Sequence, residues 1–312
     1  MTKSVIAFLV VVSVVIVGFG LKSSHTNEGI IQKTTLGSDG ISSTLDTILV
    51  FKSEKGVDVT MSVFLPEDYS ESDRTYPALV FFHGGSWNAG EANWHYPDCA
   101  YWSSRGVIAA SVDYRLKDRD NVEVPLECVK DAKSSIRFLR LHAEKYKIDP
   151  NKIIAGGASA GGLLAIGAAT LNEEYTNDDA FDLAISCIPN AVMLQNPAIR
   201  SELELTPLSR IREGLPPTIT FIGDQDPGIP WQSMLDFHSV LKESKNESRL
   251  HVAKGAKHGF CNGRNPKNKN FYWHLELADK FLVENGILTG ASKVKVPKEV
   301  HVMGENDYFS YY

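Results

Sequence analysis

Residues 152–162 read KIIAGGASAGG, and this segment carries the strongest indication of the fold class. Its first half is an apolar run typical of a buried strand, and the small apolar residues of 160–171 predict a helix packed tightly on a sheet. Between them, residues 157–161 match G-x-S-x-G with Ser159 at the centre, in the strand–turn–helix context of a nucleophile elbow. Glycine permits the strained turn that exposes a serine hydroxyl. Because the pattern is common, a glycine-rich helix start capped by a serine is the alternative.

On both sides of this segment, short apolar runs alternate with longer periodic stretches. Alternating patterns predict antiparallel strands at 46–52 and 57–65, apolar runs predict buried strands at 78–82, 107–112, 183–188, 218–223 and 249–253, and helical periodicity is present at 125–146, 231–243 and 270–285. This alternation predicts an α/β fold, a mostly parallel sheet with helices on both faces, whose ligands bind at the carboxyl ends of the strands. Since no long insertion is present between 189 and 217, we expect a small or absent cap.

The composition describes an ordinary globular protein. The 312 residues carry a formal charge of −6 and are 43% hydrophobic, which excludes a disordered or coiled-coil chain and gives no basic surface for nucleic acid. The histidines include no H-E-x-x-H, and the cysteines fit no zinc module, so no metal site is predicted. One disulfide is compatible with an exported protein, but the spacing selects no pair among Cys99, Cys128, Cys187 and Cys261.

The N-terminus predicts a targeting segment. Lys3 precedes an uncharged apolar run, residues 5–21, so residues 1–22 are expected to be a signal peptide or an N-terminal membrane anchor. The polar residues 23–44 predict a linker, 45–286 the catalytic domain, and 287–312 a loosely packed C-terminal tail whose aromatic residues could dock on the body. We therefore expect a secreted or periplasmic protein, or one that residues 5–21 attach to the membrane.

A second glycine motif follows the strand predicted at 78–82. His83-Gly84-Gly85 is an H-G-G sequence of the kind that forms an oxyanion loop, because glycine lets backbone N–H groups face a tetrahedral intermediate. The expected donors are the N–H groups of Gly84, Gly85 and Ala160. His83 is expected to support the loop rather than act as the base.

An acid and a base follow the last two predicted parallel strands. Asp224 and Asp226 come directly after 218–223, and either carboxylate could orient an imidazole; Asp226 is favoured, and Asp224 could instead cap the turn. His258 stands in a loop after 249–253, next to Gly259. The chain order Ser159, Asp226, His258 is the order of the α/β-hydrolase triad and predicts nucleophilic attack on a carbonyl carbon.

At these residues the chain resembles the α/β-hydrolase superfamily, and more narrowly the esterase group of the bifunctional feruloyl/acetyl-xylan esterases and the hormone-sensitive-lipase-like enzymes. The resemblance rests on the glycine motifs with Trp87 and Gly90, on 113–116 and 146–150, and on 223–230, which is similar to the G-x-x-D-x-x-V-P segment of acetyl-xylan esterases. In that segment the later acid belongs to the triad, which favours Asp226. Ser86 stands where the lipase-like branch often has a third glycine.

The resemblance implies a serine-dependent carboxylic ester hydrolase that needs no cofactor. Its implied substrates are small-molecule or polysaccharide esters with acetyl or feruloyl groups. Aromatic residues beside the two loops, Trp87, Trp94 and Trp231, are candidate substrate-binding residues, with helix packing as the alternative for the first two.

Three other functions are compatible with parts of this pattern. A serine peptidase of the prolyl-oligopeptidase type shares fold and triad but usually carries an N-terminal propeller, and a kynurenine-formamidase-like amidase shares the same machinery. A non-catalytic binding module on this fold has no reason to keep Ser159, Asp226 and His258 together.

Overall fold

The computed structural model describes residues 34–36, 43–177 and 180–312. The predicted signal peptide or anchor, residues 1–22, lies outside the described residues, as does most of the predicted linker 23–44. Within that linker, β1 (Thr34–Leu36) pairs antiparallel with β2 (Ser43–Leu45). Among the described residues, no helix is both long and apolar enough to cross a bilayer.

The described part of the chain forms one nine-stranded sheet in the order β11-β10-β9-β8-β7-β5-β6-β4-β3. Its strands are β3 (Thr47–Glu54), β4 (Val57–Phe64), β5 (Tyr76–Phe82), β6 (Ile108–Asp113), β7 (Ile148–Ala158), β8 (Ala191–Gln195), β9 (Thr218–Gly223), β10 (Ser248–Ala253) and β11 (Tyr308–Tyr311). Neighbours from β10 to β6 are parallel, whereas β3, β4 and β11 pair antiparallel. The predicted α/β class with a mostly parallel sheet is confirmed.

Helices cover both faces of this sheet. They are α1 (Tyr96–Ser104), α2 (Lys117–Asp120), α3 (Leu126–Leu141), α4 (Ala160–Thr170), α5 (Trp231–Glu243) and α6 (Lys269–Glu284). Side chains alternate along β5, so that Val80 and Phe82 join the core beneath α3, α4 and α5, while Leu79 and Phe81 join the core beneath α1 and α6. The strand is buried on both sides, which explains its continuous apolar sequence.

The helix that follows the elbow packs unusually close to the sheet. A Cβ at Gly161 would overlap the carbonyl oxygen of Phe82 at the end of β5, and one at Gly157 would overlap the carbonyl of Gly161. Only glycine fits at these two positions. This close approach brings the start of α4 against the end of β5, where the H-G-G loop begins.

The strand predicted at 183–188 is wrong. Those residues form a turn followed by an irregular segment, Leu183 is 50% exposed, and Cys187 is only partly buried. The strand lies further along, at β8, after Pro189. Strand β8 is hydrogen-bonded to β7 on one side and to β9 on the other. Because proline has no N–H to donate to such a ladder, Pro189 cannot lie within this central strand, and β8 begins after it. All four cysteines are free thiols in the described structure.

The C-terminal tail docks on the body, so the expectation of loose packing is wrong for its last residues. Strand β11 pairs antiparallel with β10 and closes one edge of the sheet. The ring of Phe309 lies 5.3 Å from that of Trp231, and the ring of Tyr308 lies 5.1 Å from that of Trp273. These aromatic contacts pack the end of the tail against α5 and α6, with the residues of β11 partly buried.

Gly161→Ala is expected to lower the free energy of unfolding by about 1–3 kcal/mol and to reduce the predicted ester hydrolysis, because the new methyl group must push α4 away from β5. Urea denaturation and initial rates would measure the two effects. Gly167→Ala in the same helix is the matched control: its methyl meets the flexible end of Leu171, and alanine favours the helix. Equal losses in both variants would contradict the close-packing argument.

Candidate active site

Ser159 occupies a strained turn between β7 and α4. Its backbone has φ 52° and ψ −118°, a region that a side-chain-bearing residue rarely adopts. Two backbone hydrogen bonds hold it there: its N–H donates to the carbonyl of Gln195 at the end of β8 (2.9 Å), and its carbonyl accepts from the N–H of Ala198 (2.8 Å). The structure thus has the geometry predicted for a nucleophile elbow.

His258 reaches Ser159 from the loop after β10. Its Nε2 lies 3.0 Å from Ser159 Oγ, and its Nδ1 lies 2.7 Å from Asp226 Oδ2. Since an ionised carboxylate can only accept, Nδ1 carries the proton and Nε2 is free to accept the hydroxyl proton of Ser159. The predicted base and nucleophile are therefore in hydrogen-bond contact.

The side chain of Asp226 is fully buried, whereas the imidazole of His258 is 38% exposed. The second oxygen of this carboxylate, Oδ1, accepts the backbone N–H groups of Gly228 and Ile229, each at 2.9 Å. These bonds satisfy the buried charge and aim Oδ2 at the imidazole. Asp224 has a different partner: its Oδ1 accepts the N–H of Gly255 at 2.6 Å and caps that turn. The geometry selects Asp226 over Asp224.

The H-G-G loop lies beside the elbow. A Cβ built on Gly84 would stand 3.2 Å from the Cβ of Ser159, so the loop backbone passes directly alongside the nucleophile. Gly85, Ser86 and Trp87 all have positive φ, which turns the backbone sharply here. Ala160, the third expected donor, is the first residue of α4 and presents its N–H at a helix N-terminus.

His83 supports this loop. Its ring is buried, its Nδ1 lies 2.8 Å from the carbonyl oxygen of Gly84, and it stacks on Tyr114 with ring centres 4.2 Å apart. The hydroxyl of Tyr114 donates to the carbonyl of His83 at 2.7 Å. The role predicted for His83 as a structural residue agrees with these contacts.

A cavity of about 440 Å³ opens at Ser159 and His258. Its remaining wall consists of Ser86, Trp87, Ala160, Ala198, Arg200, Leu203, Pro227, Gly228 and Ile229. Trp87 therefore stands where predicted, but Trp94 and Trp231 do not line this cavity. Trp94 packs under the guanidinium of Arg264, 4.8 Å from its ring centre, and Trp231 packs against Phe309. Both rings are near the loops in sequence, but their tertiary packing directs them away from the cavity, so the substrate-binding role predicted for Trp94 and Trp231 is wrong for this cavity.

Two polar residues of the site were missed from the sequence. Asn196 follows β8 and brings its Nδ2 to 3.5 Å from His258 Nε2, and Arg200 lies four residues further along the same segment. Both follow the carboxyl end of a strand, which is the signal used for the other site residues. Neither residue is predicted, because the apolar run at 183–188 places that strand too early in the chain.

The described residues contain no group of three or more His, Cys, Asp or Glu side chains that could hold a metal ion. The contacts described above supply a nucleophile, a base and its orienting acid from side chains alone, and this set is sufficient for acyl transfer.

Solved structures of one enzyme share this architecture. Esterase 2 of the planctomycete Thermogutta terrifontis phosphorylated by paraoxon is 38% identical, with a TM-score of 0.73 over 78% of this chain and 95% of that chain. Its propionate-bound form is 36% identical, with a TM-score of 0.72 and the same coverage.

The chain belongs to the α/β-hydrolase superfamily, among its esterases. The BD-FAE family model matches residues 61–195, which include the H-G-G loop, the elbow and β8. The carboxylesterase NlhH of Mycobacterium tuberculosis is 27% identical over 45% of this chain and 38% of its own length. This chain spans less than two fifths of the length of the curated relatives it matches.

Asp226→Asn is expected to lower kcat for ester hydrolysis by about 10³–10⁴-fold, because an amide at this position no longer holds the imidazole in the tautomer with a free Nε2. Asp224→Asn is the matched control, since it removes one charge from the same loop but does not touch His258. We expect it to retain activity within about three-fold. The reverse order of effects in steady-state kinetics would assign the acid to Asp224.

Protonation of His83 is expected to destabilise the fold at acid pH. Burial lowers the pKa of His83 from 6.5 to about 4, so between these pH values the unfolded chain binds a proton that the folded protein does not. The free energy of unfolding should therefore fall as pH drops through this window, with a contribution from His83 of up to about 3 kcal/mol.

Urea denaturation at several pH values would measure this slope in the wild type and in His83→Gln, where it should be shallower. His301→Gln is the control, because that side chain is 71% exposed. A slope that His83→Gln leaves unchanged would exclude His83 as its source.

Proposed function

We propose that this esterase-family protein hydrolyses short-acyl carboxylic esters through an acyl intermediate on Ser159. The observation that carries the proposal is the continuous contact from Ser159 Oγ to His258 Nε2 (3.0 Å) and from His258 Nδ1 to Asp226 (2.7 Å). A binding module on the same fold would have no use for a strained serine in contact with an oriented imidazole.

In the proposed reaction, His258 takes the hydroxyl proton as Ser159 Oγ attacks the ester carbonyl. The N–H groups of Gly84, Gly85 and Ala160 stabilise the oxyanion, and each such donor contributes about 3 kcal/mol in comparable enzymes. His258 then donates the proton to the leaving alcohol. A water molecule, activated by the same imidazole, hydrolyses the acyl-serine and frees the enzyme.

The wall of the catalytic cavity supports a short acyl group. Ala198, Leu203 and Ile229 give it an apolar part, and its volume of about 440 Å³ suits a small ester rather than a long fatty chain. The segment that covers it, between β8 and β9, contains only one 3₁₀ turn, Leu208–Arg210. The propionate found in the Thermogutta esterase supports the same acyl class.

For the natural substrate we propose acetyl or feruloyl esters, polysaccharide esters among them. The BD-FAE match and the open cavity with Trp87 in its wall support this choice. A polymer is met outside the cytoplasm, which agrees with the export or membrane attachment that residues 1–22 predict.

The test is a substrate panel: p-nitrophenyl acetate, butyrate and octanoate, methyl ferulate, acetylated xylan and an aminoacyl anilide. We expect turnover to fall from acetate to octanoate, and the anilide to be inert. Ser159→Ala should abolish turnover, whereas Ser239→Ala on α5 is the matched control and should retain it. Paraoxon should add one diethylphosphoryl group to the wild type and none to Ser159→Ala, as seen by mass spectrometry.

Three outcomes would contradict the proposal. Turnover of more than a few per cent in Ser159→Ala would exclude it as the nucleophile. Faster cleavage of the anilide than of the esters would indicate a peptidase or amidase of the same fold. Maximal rates with octanoate would refute the short-acyl assignment.

A further inference from the structure

Arg200 stands where two cavities meet. It lines the catalytic cavity together with Ser159 and His258, and it also lines a second cavity of about 370 Å³. Gly228 and Ile229, from the loop that carries Asp226, are shared by both walls. A substrate that extends beyond the reacting carbonyl in this direction must therefore pass the guanidinium.

The guanidinium of Arg200 has more N–H donors than its protein contacts use. Its Nη2 donates to the carbonyl oxygen of Gly228 at 3.1 Å. Among the described residues no carboxylate lies within ion-pairing distance of it, unlike Arg115, which contacts Asp131 at 2.7 Å, or Arg105, which contacts Asp279 at 2.7 Å. A guanidinium carries five N–H donors, so most of this fork faces the cavity and solvent rather than a protein acceptor.

Charge in the two walls favours an anion at their junction. Apart from Arg200 and His258, the residues that line the catalytic cavity have uncharged side chains. The second cavity has Glu202 and Asp236 in its wall, and their charges would repel an anion that moved further in. The favourable position is thus beside Arg200, within the catalytic cavity.

We propose that Arg200 forms a subsite for an anionic oxygen group of the substrate, so that the enzyme prefers esters carrying a carboxylate over their neutral counterparts. A planar fork matches a carboxylate through two parallel hydrogen bonds, which a lysine cannot reproduce. This inference rests on the proposed esterase function and specifies the substrate class of the same site.

Arg200 could instead act only on the loop of the acid. Its bond to Gly228 lies two residues from Asp226, and losing that bond would disturb His258 for every substrate alike. A recognition role, in contrast, changes anionic and neutral esters unequally. The ratio of their kcat/KM values separates the two roles, and comparing this ratio between variants cancels the intrinsic reactivity of each ester.

The experiment measures that ratio in two arms. In the acyl arm, mono-4-nitrophenyl glutarate is compared with 4-nitrophenyl valerate. In the alcohol arm, 4-acetoxybenzoate and 4-acetoxybenzenesulfonate are compared with methyl 4-acetoxybenzoate. The variants are Arg200→Met, Arg200→Lys and the control Arg74→Met, which removes the same charge from a residue paired with Asp68, outside both cavities.

In at least one arm we expect Arg200→Met to lower the anionic-to-neutral ratio about ten-fold, Arg200→Lys to lower it less, and Arg74→Met to leave it unchanged. The wild-type ratio should also fall as salt is raised. The arm that responds identifies which half of the ester carries the anion, and the sulfonate distinguishes a general anion subsite from one specific for carboxylate.

Unchanged ratios in both arms for Arg200→Met would overturn the subsite, even if all rates fell. An equal fall in Arg74→Met would also overturn it, because the effect would then follow net charge alone. The proposed function fails separately, when the wild type hydrolyses neither the neutral nor the anionic esters.

Discussion

The site depends on one steric constraint, the absence of side chains where the elbow meets the sheet. Gly161 lets α4 approach the end of β5, and Gly157 lets it approach the end of β7, so closely that a Cβ at either position would overlap a carbonyl group. That approach holds Ser159 at φ 52° and ψ −118°, a conformation that costs about 1–3 kcal/mol and persists only under such constraint. It also places Gly84 next to the nucleophile, so the attacking oxygen and the oxyanion loop are positioned by the same contact.

Strand order explains the rest of the site. Two strands, β8 and β9, lie between β7, which ends just before Ser159, and β10, which precedes His258. The loop that carries His258 therefore crosses three strand spacings, about 14 Å. Asp226 follows β9 and supports the imidazole from its neighbouring loop. The segment that follows β8 lies between Ser159 and the loop of His258. For this reason Asn196 contacts the imidazole, and Ala198 and Arg200 line the catalytic cavity, although the sequence predicts none of the three there.

The elements with strong local signals were predictable. The apolar run of β5, the glycine motif around Ser159 and the amphipathic pattern of α5 each fix a local conformation, and the structure agrees with them closely. The strand expected at 183–188 failed because hydrophobicity alone cannot distinguish a central strand from a partly exposed turn. The prediction that Trp94 and Trp231 line the substrate site is wrong for a related reason: nearness to a loop in sequence does not determine the direction in which a ring packs.

The chemical groups of the site can be recognised from local sequence: a serine at a glycine turn, an H-G-G loop, and an acid and a histidine each following a strand. These are local features, set by backbone sterics and short-range patterning. The choice between Asp224 and Asp226 required the folded arrangement of the loops. Both carboxylates follow the same strand, and they differ in partner, Gly255 in one case and His258 in the other. The tertiary structure also decided the cavity wall, because a wall is made of side chains from separate strands, and their directions follow from packing across the whole sheet.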